Sequence, residues 1–294
     1  MTDRRQFMQS VGALAALAQV PSLALAAEAP RLPRRAIPGT DETLPIIGMG
    51  NSAAFRAGDR DASWRVISIF QEHGSAYIDV GGSSRFTVGE IVREHGLTES
   101  VFLGCYFSGE KDVTSKDEAR RLLELTGQPA LDLMHNYPED AVPYWDTFRR
   151  WKAEGLTRYI GVARHRSEYY DMMMGLMKTG TVDFLQVNYS LLETEAEERI
   201  LPLAIDMGIA VTINRPFING RYFDIVRGHE LPTWAADFDC RSWAQFSLKF
   251  ILSHPAVNCV LTETANPKHA LDNLGAGYGR LPDEAERRKM LDYL

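Results

Sequence analysis

Cysteine is scarce in this chain: among 294 residues only Cys105, Cys240 and Cys259 carry thiols. They lack the paired spacing of a metal site, and an odd number cannot form a closed disulfide set, so they read as buried structural thiols. The histidines are equally dispersed. His73, His95, His135, His165, His229, His254 and His269 form no ligand-spaced cluster, which leaves a metal hydrolase without ligands. An excess of positive charge is also missing. A formal net charge of −7 argues against nucleic acid as the main partner. Beyond residue 30 no apolar run is long enough to span a bilayer, so no membrane association is expected once the leader is cleaved.

The first thirty residues differ in kind from the rest. Asp3-Arg4-Arg5-Gln6-Phe7-Met8 precedes an apolar run over 11–25, and Ala24-Leu25-Ala26 offers a small-residue cleavage site before Ala27. The arginine pair followed by x-Phe-Met resembles a twin-arginine export signal. Residues 1–26 are therefore expected to be a signal peptide handled by the twin-arginine export machinery. Residues 27–43 are expected to be a lead-in arm rich in Pro and Arg. The mature protein is expected to be periplasmic or otherwise exported. That route carries folded proteins, so a cofactor can be loaded before export.

Residues 44–294 alternate short apolar runs with helical patterns. Strands are expected at 44–49, 77–80, 100–105, 131–135, 159–162, 184–188, 209–213 and 257–262. Helices are expected at 60–73, 116–125, 142–154, 167–178, 195–207 and 241–252, where apolar residues recur on one face. Gly155 stops one helix, Gly180 lies just past another, and Gly208 ends a third. Eight strands alternating with helices predict a parallel sheet closed as a (β/α)8 TIM barrel, which normally needs about 250 residues. The predicted fold is an α/β single domain.

The stretch 181–223 carries a family resemblance. Asp183-x-x-Gln186-x-x-Tyr189-Ser190 is followed by an acidic helix, then Gly208-Ile209-Ala210-Val211, then Arg215-Pro216 and Gly220-Arg221-x-Phe223. This is similar to the aldo-keto reductases, nicotinamide-dependent (β/α)8 barrels. The resemblance implies a general-acid tyrosine tuned by an aspartate and a lysine, with a histidine orienting the substrate. Ile78-Asp79-Val80 places Asp79 at the aspartate position. Tyr106 stands where the lysine is expected, and Ser84 where the tyrosine is expected. A serine is a far weaker proton donor than a phenol of pKa about 10. Asp132-Leu133-Met134-His135-Asn136-Tyr137-Pro138 places Tyr137 at the histidine position, with His135 two residues earlier; a gap would align His135 instead. Arg85 is either the cation that pairs Asp79 or a solvated loop residue. Tyr106 and Tyr137 are either acids of a rearranged site or packed aromatics.

The cofactor positions are partly kept. The resemblance implies that Gln186 holds a nicotinamide amide, while Ala163-Arg164 replaces the usual Ser-Asn pair and Asn214 replaces a stacking tyrosine. Arg215 and Asn219 belong to a pyrophosphate loop. Thr264 and Asn273 match an adenosine-phosphate motif, in which Glu263 replaces a lysine or glycine. A carboxylate there repels a 2′-phosphate, so NADP(H) is disfavoured relative to NAD(H). Two functions remain open: an oxidoreductase acting on a small carbonyl or sugar-like substrate through a rebuilt site, or a barrel that binds a small ligand without hydride chemistry.

Overall fold

The computed structural model describes residues 30–294. The expected signal segment 1–26 and the start of the arm lie outside the described residues. The arm continues into a hairpin in which β1 (Arg34–Ala36) pairs antiparallel with β2 (Thr43–Pro45). Eight parallel strands then close a barrel: β3 (Ile47–Met49), β4 (Tyr77–Val80), β5 (Phe102–Tyr106), β6 (Leu131–Asn136), β7 (Thr157–Arg164), β8 (Phe184–Asn188), β9 (Ala210–Asn214) and β10 (Val257–Thr262). Their near-unbroken burial follows from having a filled barrel on one side and helices on the other.

Side chains alternate across each strand, so Ile78 and Val80 face the helices while Tyr77 and Asp79 face inward. The lower interior is aromatic. Tyr77, Phe102, Tyr159 and Phe184 contact one another with ring centroids 5.1–6.1 Å apart. The hairpin closes this end, adding Ile37 and Leu44 to the same cluster. Glu42 ties it down by pairing with Arg158 and accepting the Tyr159 hydroxyl at 2.8 Å. The bottom is shut, and ligands must enter from the opposite end.

Helices α1 (Ala53–Ala57), α2 (Arg60–Glu72), α3 (Ser84–Glu94) and α4 (Asp112–Thr126) begin the outer ring. Asp59 caps α2, its carboxylate accepting the Ala62 N–H at 2.9 Å. Three features depart from the sequence expectations. The run 44–49 splits into β2 and β3, because residues 43–45 pair beneath the barrel with β1. The helix expected over 195–207 is a short turn, Glu195–Glu197, and a separate helix, Ile200–Asp206. Pro202 lacks an N–H and fits only in a first helical turn, so the helix starts afresh at Ile200. Residues 84–94, read as loop at their start, form α3 with Val88, Ile91 and Val92 buried.

Candidate active site

Polar residues gather where the barrel strands end, at the mouth opposite the hairpin. They surround a cavity of about 690 Å³. Its lining includes Asp79, Tyr106, Tyr137, Gln186, Arg215, Asn219 and Glu263. These come from six different strand ends or the loops that follow, the usual construction of a site on this fold.

Asp79 lies at the end of β4 and is 2% exposed. The Tyr77 hydroxyl donates to its Oδ2 at 3.0 Å. His135 Nε2 lies 3.1 Å from the same oxygen, an electrostatic contact not aligned as a directed hydrogen bond. Strand register sets Gly104 beside Asp79, and the missing side chain there leaves room for the carboxylate.

Arg85 is not the counter-ion of Asp79. Its guanidinium pairs with Glu118, donates to the Tyr106 carbonyl at 2.7 Å and lies 4.4 Å from the Phe107 ring centroid. The reason is α3: winding residues 84–94 into a helix turns Arg85 toward α4, away from the barrel axis. Arg85 is neither a solvated loop residue nor an electrostatic partner in the mouth.

The two phenols differ. Tyr106 ends β5, with its ring centroid 4.2 Å from that of His135. Its hydroxyl donates to Gln186 Oε1 at 2.8 Å. Burial, and then the negative charge of Asp79, push the Tyr106 phenol well above its ordinary range. Tyr137 follows β6 and is 36% exposed at the mouth. Arg164 holds it in place, stacked between the rings of Tyr137 and Tyr169 at 4.5 and 4.3 Å and paired with Glu139 at 2.5 Å. His135 lies beneath Tyr106, 1% exposed, and supports the cavity without lining it.

Gln186 and Asn214 meet across β8 and β9. Asn214 Nδ2 donates to Gln186 Oε1 at 3.3 Å and to the Arg164 carbonyl at 3.4 Å. The Arg215 side chain spans the rim, donating to the His165 carbonyl and to Asn219 Oδ1, each at 3.3 Å. Arg215, Ile218 and Asn219 all adopt positive φ between 49° and 53°. For a β-branched residue such as Ile218 this conformation is strained, the sort of cost that clusters at binding loops. Burial, and then Arg215, Arg164 and Arg166, lower the basicity of His165.

Glu263 leaves β10 and turns into the mouth, its Oε2 3.6 Å from Arg56 Nη1. It covers Gly50, where a Cβ would stand 2.8 Å from Glu263 Cγ. Its side chain is half-exposed; partial desolvation in the mouth pushes its carboxyl upward, Arg56 opposes this, and Asp79 adds to it. Thr264 sits half-exposed outside the cavity, its Oγ1 accepting the Asn266 N–H at 3.0 Å. Asn273 is buried in the helix Pro267–Gly275, also outside the cavity lining. Sequence reasoning missed Arg56 as a mouth residue and Arg164 as the support of Tyr137. Neither had a local signal, since both roles depend on partners far along the chain. Among the described residues no three His, Cys, Asp or Glu side chains cluster to hold a metal.

Comparison with known proteins agrees with this construction. The sequence signature of the Aldo/keto reductase family matches residues 82–288. An aldo-keto reductase of Mycolicibacterium vanbaalenii is 24% identical over 251 residues, covering 80% of this chain and 83% of that protein. An NADH-specific methylglyoxal reductase of Escherichia coli is 25% identical over 222 residues, covering 62% of this chain and 66% of that enzyme. In structure, an aldo/keto reductase of Klebsiella pneumoniae bound to NADP and acetate superposes with a TM-score of 0.69 at 21% identity, covering 90% of this chain and 95% of that one. The holo form of an aldo-keto reductase of Bacillus halodurans gives 0.68 at 18% identity, covering 90% and 96%. With a signature spanning most of the chain and a closed eight-stranded barrel, this protein belongs to the aldo/keto reductase family.

Proposed function

We propose that the mouth binds a nicotinamide dinucleotide and reduces a small carbonyl compound, sugar-like substrates included, through a rebuilt proton-donating site. The observation that carries this reading is Gln186. It is buried in β8, at the position where the resemblance implies a nicotinamide contact, and it lines a cavity that Tyr137, Arg215 and Asn219 also line.

A bound cofactor would supply the hydride; the chain's own residues would do the rest. Tyr137 is the better-placed acid, because Tyr106 already donates its hydroxyl hydrogen to Gln186 and its phenol is made less acidic by burial and Asp79. Tyr137 would hand a proton from its phenol oxygen to the substrate oxygen, with Arg164 fixing the ring. Asp79, Tyr77 and His135 would form the polar floor that fixes Tyr106. Arg215 and Asn219 would meet the diphosphate. Glu263 in the mouth would disfavour NADP(H), in line with the NADH specificity named for the Escherichia coli relative. The Klebsiella relative was solved with NADP, so cofactor choice varies among related barrels.

A second reading, a barrel that binds a small ligand without reducing it, is favoured by Tyr106 at the position where the resemblance implies a lysine. One assay separates the two. Mature protein is mixed with NADH and a panel of small carbonyls that includes methylglyoxal, and cofactor oxidation is followed by absorbance. Consumption supports the reductase; NADH binding without consumption supports the second reading. Export through the twin-arginine route is also proposed, on Arg4-Arg5, the apolar run and the Ala24-Leu25-Ala26 site. Cell fractionation of full-length protein against Arg4→Lys/Arg5→Lys tests it: retention of the variant in the cytoplasm supports export, and equal distribution counts against it.

A further inference from the structure

One side of the mouth is built by the turn that leads from β4 into α3. Gly81, Gly82, Ser83 and Ser84 all line the cavity. Gly82 takes a φ of +59°, Ser83 follows in the right-handed helical region, and no side chain caps the helix. Phe86 N–H donates to the Ser83 carbonyl at 3.0 Å, but the N–H groups of Gly82, Ser83, Ser84 and Arg85 meet no acceptor among the described residues. No acidic residue occupies the first turn. A ligand can reach this turn: Gly82 and Ser83 are exposed, and a Cβ added to Gly82 would meet nothing within 4 Å. Ser84 adds an unused side-chain donor. It is 2% exposed and lines the cavity, and its hydroxyl makes no hydrogen bond among the described residues. The sealed, unpartnered atoms of the mouth include Asn51 Oδ1, Gln186 Nε2 and Asn214 Oδ1; Ser84 Oγ is not one of them and keeps accessible surface. The resemblance implies a phenol at position 84. A serine lacks that ring and leaves the donors of the turn open to the cavity.

We propose that this turn binds the anionic group, carboxylate or phosphate, of an acidic carbonyl substrate whose carbonyl oxygen meets Tyr137. Free N–H groups at a helix start carry partial positive charge, and the Ser83 and Ser84 hydroxyls add donors to the same cavity wall. Gly81 lies against Tyr106, where a Cβ would stand 3.4 Å from Cδ2, and the Tyr106 and Tyr137 ring centroids are 5.4 Å apart. One aromatic ring therefore separates the turn from the proton donor. Two carboxylates of the mouth oppose an anion, and both are engaged: Asp79 with Tyr77 and His135, Glu263 with Arg56. Arg215 and Asn219 follow β9, which is not a neighbour of β4 in the barrel, so the turn does not compete for the diphosphate. The substrate assignment rests on the reductase reading above, whereas binding of the anion is measured without turnover.

Matched compounds test the turn on mature protein. 4-Hydroxybutanoate carries a carboxylate where butan-1-ol has a methyl group, and glycerol 3-phosphate adds a phosphate to glycerol. Calorimetry reads their binding. NADH consumption reads turnover of the matching aldehydes, 4-oxobutanoate against butanal and glyceraldehyde 3-phosphate against glyceraldehyde. At least one acidic compound should bind about tenfold tighter than its neutral partner, and the pair that shows this names the group. Ser83→Asp puts a carboxylate at the helix start, where it takes up the same N–H groups and supports the helix. The preference should then vanish with no fall in melting temperature. Ser84→Ala should cut it about threefold. Equal binding within both pairs overturns the anion site and leaves the reductase reading to stand on turnover of butanal or glyceraldehyde. A preference that survives Ser83→Asp puts the anion elsewhere in the mouth and also overturns it. A preference lost in Ser83→Asp, with no aldehyde consuming NADH, upholds the anion site and overturns the reductase reading. The wild-type comparison needs no variant, so a misfolded variant would not blunt the test.

Discussion

Replacing each mouth phenol by phenylalanine separates a proton donor from a supporting hydroxyl. Tyr106→Phe removes one hydrogen bond of 2.8 Å to Gln186 Oε1, which keeps its bond from Asn214. No buried atom is left wholly unpaired, so the loss should be about 1 kcal/mol of stability. Turnover should fall less than about tenfold, because the carboxamide is held more loosely but the acid remains. Tyr137→Phe should scarcely move stability, as its hydroxyl makes no hydrogen bond among the described residues and the ring keeps its contact with Arg164. Its turnover should fall about a hundred- to ten-thousandfold, the usual share of a general acid. That is about 2.7 to 5.4 kcal/mol at 1.36 kcal/mol per decade. The assay is NADH oxidation under saturating carbonyl, with thermal melts of each variant alongside. If Tyr106→Phe abolishes turnover while Tyr137→Phe keeps it, the assignment of the acid from hydroxyl commitment is refuted.

Three further outcomes are expected. Gly104→Ala would push a methyl group against Asp79 Oδ2 and within 3.3 Å of the Tyr77 ring, costing about 1–3 kcal/mol in denaturant unfolding; an unchanged midpoint would show that Asp79 is free to move. Glu263→Gly should raise NADPH affinity by about tenfold, with little change for NADH, as read by calorimetry; no gain would remove charge repulsion as the basis of selection. Burial lowers the pKa of Lys249, which donates to the Tyr278 and Arg280 carbonyls at 2.7 and 3.0 Å. Between its lowered folded pKa and its ordinary value near 10.4 the unfolded chain holds more protons, so its contribution to stability rises with pH across that window. The stability difference between wild type and Lys249→Met should therefore grow from neutral to alkaline pH, and a flat difference would count against a strained ammonium.

The barrel was legible because its strands are buried on both faces and so appear as short apolar runs, as at 184–188 and 257–262. What could not be read locally depended on distant pairing. The break within 44–49 requires residues 34–36 to pair beneath the barrel. Helix α3 did carry a signal, Val88, Ile91 and Val92 at helical spacing, but its first turn holds the Ser84-Arg85 pair that read as loop. Missing that helix misassigned Arg85, since its direction depends on helical winding and on Glu118 over thirty residues away. The sequence offers Asn214 only as a polar strand-end residue in place of a stacking ring. Its bond to Gln186 follows from the register that sets Asn188 beside Asn214 and Gln186 beside Thr212.

The differences between this mouth and the arrangement the resemblance implies touch one another, which has a consequence for single substitutions there. In the expected arrangement a lysine would neutralise the aspartate. Here Tyr77 and His135 surround Asp79, Gly104 leaves it space, and Tyr106 donates to Gln186. Tyr106→Lys would place an ammonium near Asp79, but it would also remove the ring that packs 4.2 Å from His135 and the donor to Gln186. Burying a charge whose partner is already hydrogen-bonded gains little, and the lost aromatic packing leaves a cavity. The single substitution should therefore lower the melting temperature and weaken NAD+ binding in calorimetry rather than raise turnover. A more active, equally stable Tyr106→Lys protein would show that the Tyr106 contacts do not hold the mouth together and would refute this reasoning.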